Sequence, residues 1–385
     1  MKKLYFQFFC FCIISIISSS HIQSQTDFDS IDKFAQNIPD TIGKDLHEIT
    51  LYISRKSKTD TEKVRGIFTW IITNISYDHA SAEGPFPVGK EIKDILTSRK
   101  AICIGYAKLF QKMCQIAGFE CEVVSGYSRE NPTSKNIIDA PDHAWNAIQL
   151  NGQWQLVDAT WSASLRKSKP GKKLNPEVEE YFLAPASKFL ESHLPALPWW
   201  QLVESPINMK TFRSGSDAIS AHLSTISNYS YKDSIQIFRD LSPQIKKIRE
   251  AEVGWNFLPT EKNLKQYIAI LMEYASEMTD SLINLQSTGP IDSLISRQYK
   301  LIELCRFASS LDTLLPWHKE LYAEALINHI VAQHRKVNGR PDKKLKIQLL
   351  EFISETLIIL NSAPESYYTK SAMSICQEFK LVISQ

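Results

Sequence analysis

Apolar side chains recur three and four positions apart at Val64, Ile67, Phe68, Ile71 and Ile72, which predicts a one-sided helix inside a helical stretch from 27 to 78. The same spacing returns after Cys103, where Tyr106, Leu109, Phe110, Met113 and Ile116 fall on one face and Gly118 supplies the stop. Past Gly118 the period drops to two. "FECEVVSGY" alternates and is rich in β-branched residues, so it reads as a strand. "HAWNAIQL" and "QWQLVDAT" flank Asn151-Gly152, a dipeptide that predicts a two-residue hairpin between alternating runs. After about residue 206 the strand signals stop. Prolines and glycines from Pro243 to Pro364 cut the remainder into helix-sized pieces, one of them marked by Leu264, Tyr267, Ile268, Leu271, Ala275, Met278, Leu282 and Leu285. The pattern predicts an α+β domain over residues 27–208, a helix packed on an antiparallel sheet. An all-α domain of about six or seven helices is expected over residues 209–385.

The first 24 residues stand apart. Lys2 and Lys3 precede the apolar "LYFQFFCFCIISII", and the polar "SSSHIQSQTD" follows. A charged start, a short apolar middle and a small-residue exit form the pattern of a secretory signal peptide, with cleavage expected near Ser24. The apolar run of about 14 residues falls short of the roughly 20 needed to cross a bilayer, so no permanent span is expected. The chain is therefore read as exported, periplasmic or secreted.

Charge excludes one class of partner. With 44 basic against 42 acidic residues the net charge is +2, which leaves no field to draw the chain to nucleic acid. The cysteines matter more. Without the leader there remain Cys103, Cys114, Cys121, Cys305 and Cys376, and an odd number in an oxidising compartment leaves a thiol without an internal partner. Cys114 and Cys121 read as core thiols where helix gives way to strand, with a mutual bridge as the alternative. Any pairing of Cys305 with Cys376 stays open.

Register turns the hairpin into chemistry. A two-residue loop pairs Leu150 with Gln153, places His143 opposite Thr160 and Trp145 opposite Asp158, and sends His143, Trp145, Trp154 and Asp158 to one face. His143 and Asp158 become diagonal neighbours with backbones roughly 7 Å apart, close enough for imidazole to meet carboxylate. A carboxylate holding a histidine is the orienting half of a nucleophilic triad. Cys103 sits where a helix begins, and backbone N–H groups there favour a thiolate. Trp145 and Trp154 are candidate walls of a substrate pocket, with core packing as the equal alternative. His193, in the proline-bounded "ESHLPALPWWQL", reads as part of a packed loop.

"KAICIGYAKLFQKMCQIAGFECEVVSGY" followed by "DHAWNAIQLNGQWQLVDATW" resembles the core of the transglutaminase-like superfamily of papain-like cysteine enzymes. It is most similar to the branch that includes the kyphoscoliosis peptidase and the cytokinesis-protein-3 domain, over about residues 62–208. The resemblance implies Cys103 as nucleophile, His143 as general base and acid, and Asp158 as orienting acid, with no metal or organic cofactor. It implies amide bonds of a peptide or protein as substrate and spans both hydrolysis and amine transfer, and the expected export admits cell-envelope molecules as substrates. Hydrolysis is favoured here, because no amine-binding feature stands out. The alternative is a transglutaminase-like binding or scaffold module of negligible turnover, with the C-terminal helices docking a protein partner.

Overall fold

Seven strands make up the extended part of the computed structural model, which describes residues 27–39, 41–42, 45–83, 89–129, 141–167 and 172–385. The leader expected over residues 1–24 lies outside the described residues. Strands β1 (Ser76–Tyr77) and β2 (Lys100–Ala101) form a short parallel pair. The other five are β3 (Cys121–Ser128), β4 (His143–Leu150), β5 (Gln153–Val157), β6 (Phe182–Ala184) and β7 (His193–Pro195), and they form one antiparallel sheet in the order β6-β5-β4-β3-β7. The β4–β5 ladder runs from Leu150↔Gln153 to Asn146↔Val157, the register the hairpin predicts. Asn151 and Gly152 take φ of +51° and +72°, the positive values that a type I′ turn demands at both central positions.

Helices α1 (Asp29–Gln36), α2 (Leu46–Lys56), α3 (Asp60–Asn74), α4 (His79–Ala82), α5 (Ile92–Ser98) and α6 (Cys103–Ile116) precede the sheet. Helix α3 starts at Thr59, whose hydroxyl accepts from the Glu62 amide. Helix α6 ends where Gly118 turns left-handed at φ +91°, letting the Phe119 amide reach back to the Cys114 carbonyl. Alternation gives the sheet two apolar faces, and both are buried. Cys121, Ile148, Leu150 and Val157 pack with α3 and α6 residues such as Phe68, Ile71, Leu109 and Phe110. Val124, Trp145, Ala147, Trp154 and Leu156 face a second cluster with Tyr181, Phe189, Trp199, Trp200 and Ile235. Each fully buried aliphatic side chain is worth about 1.5–3 kcal/mol, so two covered faces fix the register firmly.

Burial also traps charge. Arg65 on α3 is 1% exposed and bridges Asp32 on α1 at 2.7 Å and Glu179 at 2.5 Å, while Phe28 and Phe182 lie against its guanidinium. The quartet is completed by the Thr69 hydroxyl, which donates to Asp32.

Helices α7 (Ala159–Leu165) and α8 (Ala186–Phe189) decorate the sheet, and past Gln201 every described element is helical. These are α9 (Met209–Ser214), α10 (Ser216–Leu223), α11 (Tyr231–Asp240), α12 (Pro243–Phe257), α13 (Glu261–Thr288), α14 (Ile291–Leu311), α15 (Pro316–Lys336), α16 (Lys343–Asn361) and α17 (Tyr367–Ser384). Nine described helices exceed the six or seven expected from the sequence. The excess lies among the short helices α9, α10 and α11, which precede the first proline-bounded piece at Pro243. From α12 to α17 each helix packs on the next. No helix among the described residues is long and apolar enough to cross a membrane.

Candidate functional site

Cys103 is the first residue of α6, and its segment is pinned from two sides. The β1–β2 pair sets Tyr77 beside Ala101, and the Tyr106 hydroxyl, one turn into the helix, donates to the Ile75 carbonyl at 2.7 Å. Ile102 is the N-cap and has no side-chain acceptor, so no side chain caps the first amides beside the sulfur. Of the five described cysteines Cys103 alone is not buried, and all five are free thiols. Burial pushes the Cys114 thiol well up, with Cys121 beside it adding to the effect, as expected of core sulfur.

The strand β4 brings the histidine. Asn146 ties that strand to the cysteine helix, its amide donating to the Ala107 carbonyl at 3.0 Å. Gly126, opposite His143, is required here: a Cβ would stand 2.4 Å from the Trp145 ring and 2.3 Å from the Leu194 carbonyl oxygen. His143 Nε2 lies 2.7 Å from Asp158 Oδ2, and Cys103 lies near enough to the ring to favour its charged form. The structure thus joins His143 to Asp158 and sets Cys103 near the same ring. Burial opposes charge on His143, but Asp158 and Cys103 outweigh it and push the imidazole up to about 10.

Asp158 does not continue the strand. It caps α7, and its Oδ1 accepts from the amides of Thr160 at 2.7 Å and Trp161 at 3.0 Å. The carboxylate is wholly buried; burial alone would raise it, yet His143 and His193 together hold it well below the usual range. The sequence pattern runs β5 straight through "LVDAT"; the aspartate before a small-residue turn was the signal for a cap.

His193 is the residue that sequence reasoning set aside. Strand β7 pairs it with Ser128 at the sheet edge and delivers its Nε2 to Asp158 Oδ2 at 3.1 Å. Its Nδ1 meets the Ser192 hydroxyl at 2.8 Å. Burial lowers this imidazole to about 4, which keeps it neutral. Around it stand Phe189, Trp161, Trp145 and Tyr181, with ring centroids 4.3, 4.4, 5.0 and 5.3 Å away.

The two candidate pocket residues part company. Trp145 is buried with its ring 5.8 Å from that of His143, inside the site's aromatic wall. Trp154 shares the face but sits farther along it, against Trp200 at 5.2 Å and below Arg239. His143, Asp158 and His193 offer ligand-type atoms within 4.8 Å of one another. Those atoms are already spent on each other as hydrogen bonds, so the arrangement is a closed proton network rather than an open ligand set.

Residues 47–159 match the family model described as the transglutaminase-like superfamily. Human "Kyphoscoliosis peptidase" is 36% identical over 189 residues, 49% of this chain and 28% of that protein. Drosophila melanogaster "Hillarin" is 28% identical over 214 residues, 51% of this chain and 26% of that protein. The Caenorhabditis elegans "Lim and transglutaminase domain protein ltd-1" is 26% identical over 213 residues, 51% of this chain and 28% of that protein. The chain spans little more than a quarter of the length of each of these curated relatives.

Proposed function

From the match of residues 47–159 to the transglutaminase-like superfamily model and the likeness to kyphoscoliosis peptidase, we propose that the chain is a cysteine enzyme acting on amide bonds of peptides or proteins. The observation that supports this is the buried His143–Asp158 pair, with Cys103 at the start of a helix near the same ring. In this reading His143 takes the thiol proton and the sulfur attacks the amide carbonyl, forming a carbon–sulfur bond. The carbon–nitrogen bond then breaks as His143 returns that proton to the leaving amine, which leaves a thioester. Water attacks the thioester with His143 as base, releasing a carboxylic acid and restoring the thiol. Asp158 keeps Nε2 protonated throughout, so that Nδ1 is the nitrogen facing the sulfur. Water is the favoured acceptor and an amine the competing one. The substrate is a peptide or protein, with cell-envelope molecules among the candidates, and the C-terminal helices are read as a partner-docking region.

Cys103→Ala should fold as wild type and lose amide turnover by at least about a thousandfold, since members of such a group act as a unit. Trapping with a peptide-amide electrophile and intact-mass analysis checks the thioester step. A thiol inert to such probes in the folded protein favours the binding-module reading instead. Export belongs to the same proposal, on the basis of the charged and apolar leader. Intact mass of exported protein should show a chain starting near Gln25; full-length chain retained inside the cell would rule that out.

A further inference from the structure

We propose that His193 is a fourth member of this site, a positioning residue that shares Asp158 Oδ2 with His143 and thereby sets how firmly the carboxylate holds the His143 proton. The proposal rests on the assignment of Cys103, His143 and Asp158 made above. Its basis is a set of hydrogen bonds whose directions are all determined. An ionised carboxylate only accepts, so His193 Nε2 must carry the proton it presents to Oδ2 at 3.1 Å. Nδ1 is then an acceptor, and the Ser192 hydroxyl must donate to it. The run Ser192 to His193 to Asp158 thus points one way and fixes the tautomer of a ring that is 0% exposed.

Sharing has a consequence. Asp158 has four acceptor positions, and all four are taken: two amides on Oδ1, two imidazoles on Oδ2. Two donors on one oxygen divide its acceptor strength, and the 2.7 Å and 3.1 Å lengths show His143 holding the larger part. Without the His193 N–H, the oxygen's full strength falls on His143, which becomes the stronger base and the poorer acid. A histidine that must return its proton to a leaving amine needs that restraint. The other titratable groups facing this network are Cys103 and Tyr106 from α6, Asp142 beside β4, and Tyr181. None of them donates to Oδ2.

The test uses alkylation of Cys103 by iodoacetamide across pH, which needs no substrate. The alkaline limb of that profile reads the loss of the His143 proton. His193→Phe keeps an aromatic ring in the cage but has no N–H, whereas His193→Gln places an amide N–H near the position of Nε2 and fills the cage less well. The limb should move up by about half a pH unit in His193→Phe and stay at the wild-type position in His193→Gln. Thermal melts should rank the two variants the other way. A His193→Phe profile that superposes on wild type overturns the proposal alone, as does an equal shift in His193→Gln, which would make packing the cause. A wild-type profile with no alkaline limb sinks the His143 assignment and this proposal together. If His193→Phe does not fold, the low-field proton spectrum of wild type decides: two hydrogen-bonded imidazole N–H resonances are expected, and a single one overturns the proposal.

Discussion

His193 and His329 are both buried imidazoles that burial lowers to about 4, and they sit in opposite company. In the sheet domain every nitrogen of His193 has a partner of determined direction. In the helical region His329 faces the Gln333 amide nitrogen at 3.4 Å through Nε2, and its Nδ1 has no partner among the described residues. Gln298 on the preceding helix α14 is 1% exposed, and neither amide atom has a partner among the described residues. Burial by itself yields a neutral, silent histidine. What separates the two is a buried carboxylate, which makes one ring part of a relay and leaves the other as filling between helices. The Arg65 quartet follows the rule of the sheet domain, since its buried charge also comes with partners already in place.

The comparison is easiest to break at the carboxylate. Asp158→Ala strands two imidazoles and two amides at once, and should cost about 3–5 kcal/mol in urea unfolding together with the rapid alkylation of Cys103. If stability holds within about 1 kcal/mol, the network is not the structural keystone it is taken for.

The pH dependence of stability sharpens the contrast. Both His193 and His329 have folded values below the unfolded value of about 6.5, so the stability they contribute is present above that pH. It is lost as pH falls towards and through 4, because the unfolded chain takes up the protons first. His143 has the opposite sign: raised to about 10, it contributes fully below about 6.5 and less as pH climbs towards 10. Urea midpoints should therefore decline on both sides of neutrality. His329→Leu should flatten only the acid side, and should itself stabilise by about 1 kcal/mol at neutral pH because an unpaired polar atom leaves the core. A loss of stability in that variant would mean that His329 has a partner after all.

Much of the site was legible because two of its residues obey short-range rules. The Asn151-Gly152 turn and strict alternation put His143 and the end of β5 together, and helical spacing put Cys103 at a helix start. His193 was illegible for a physical reason. Its contact with Asp158 bridges 35 positions and depends on a three-residue strand inside a proline-rich segment, too short to show any period. Trp154 shows the limit of face arguments, since alternation gives the side of a sheet but not the distance along it.

Strand β7 is the last strand in the chain, yet it lies beside β3, the first of its sheet. During synthesis the cysteine helix and the β4–β5 hairpin emerge early and close over short loops, whereas β7 must emerge and travel to the far edge. A nascent chain that ends before Ser192 thus holds Cys103, His143 and Asp158 but neither the edge strand nor the second ring on the carboxylate. Assembly of the full network is timed by the segment made last, so the thiol acquires its complete surroundings only when the whole sheet does.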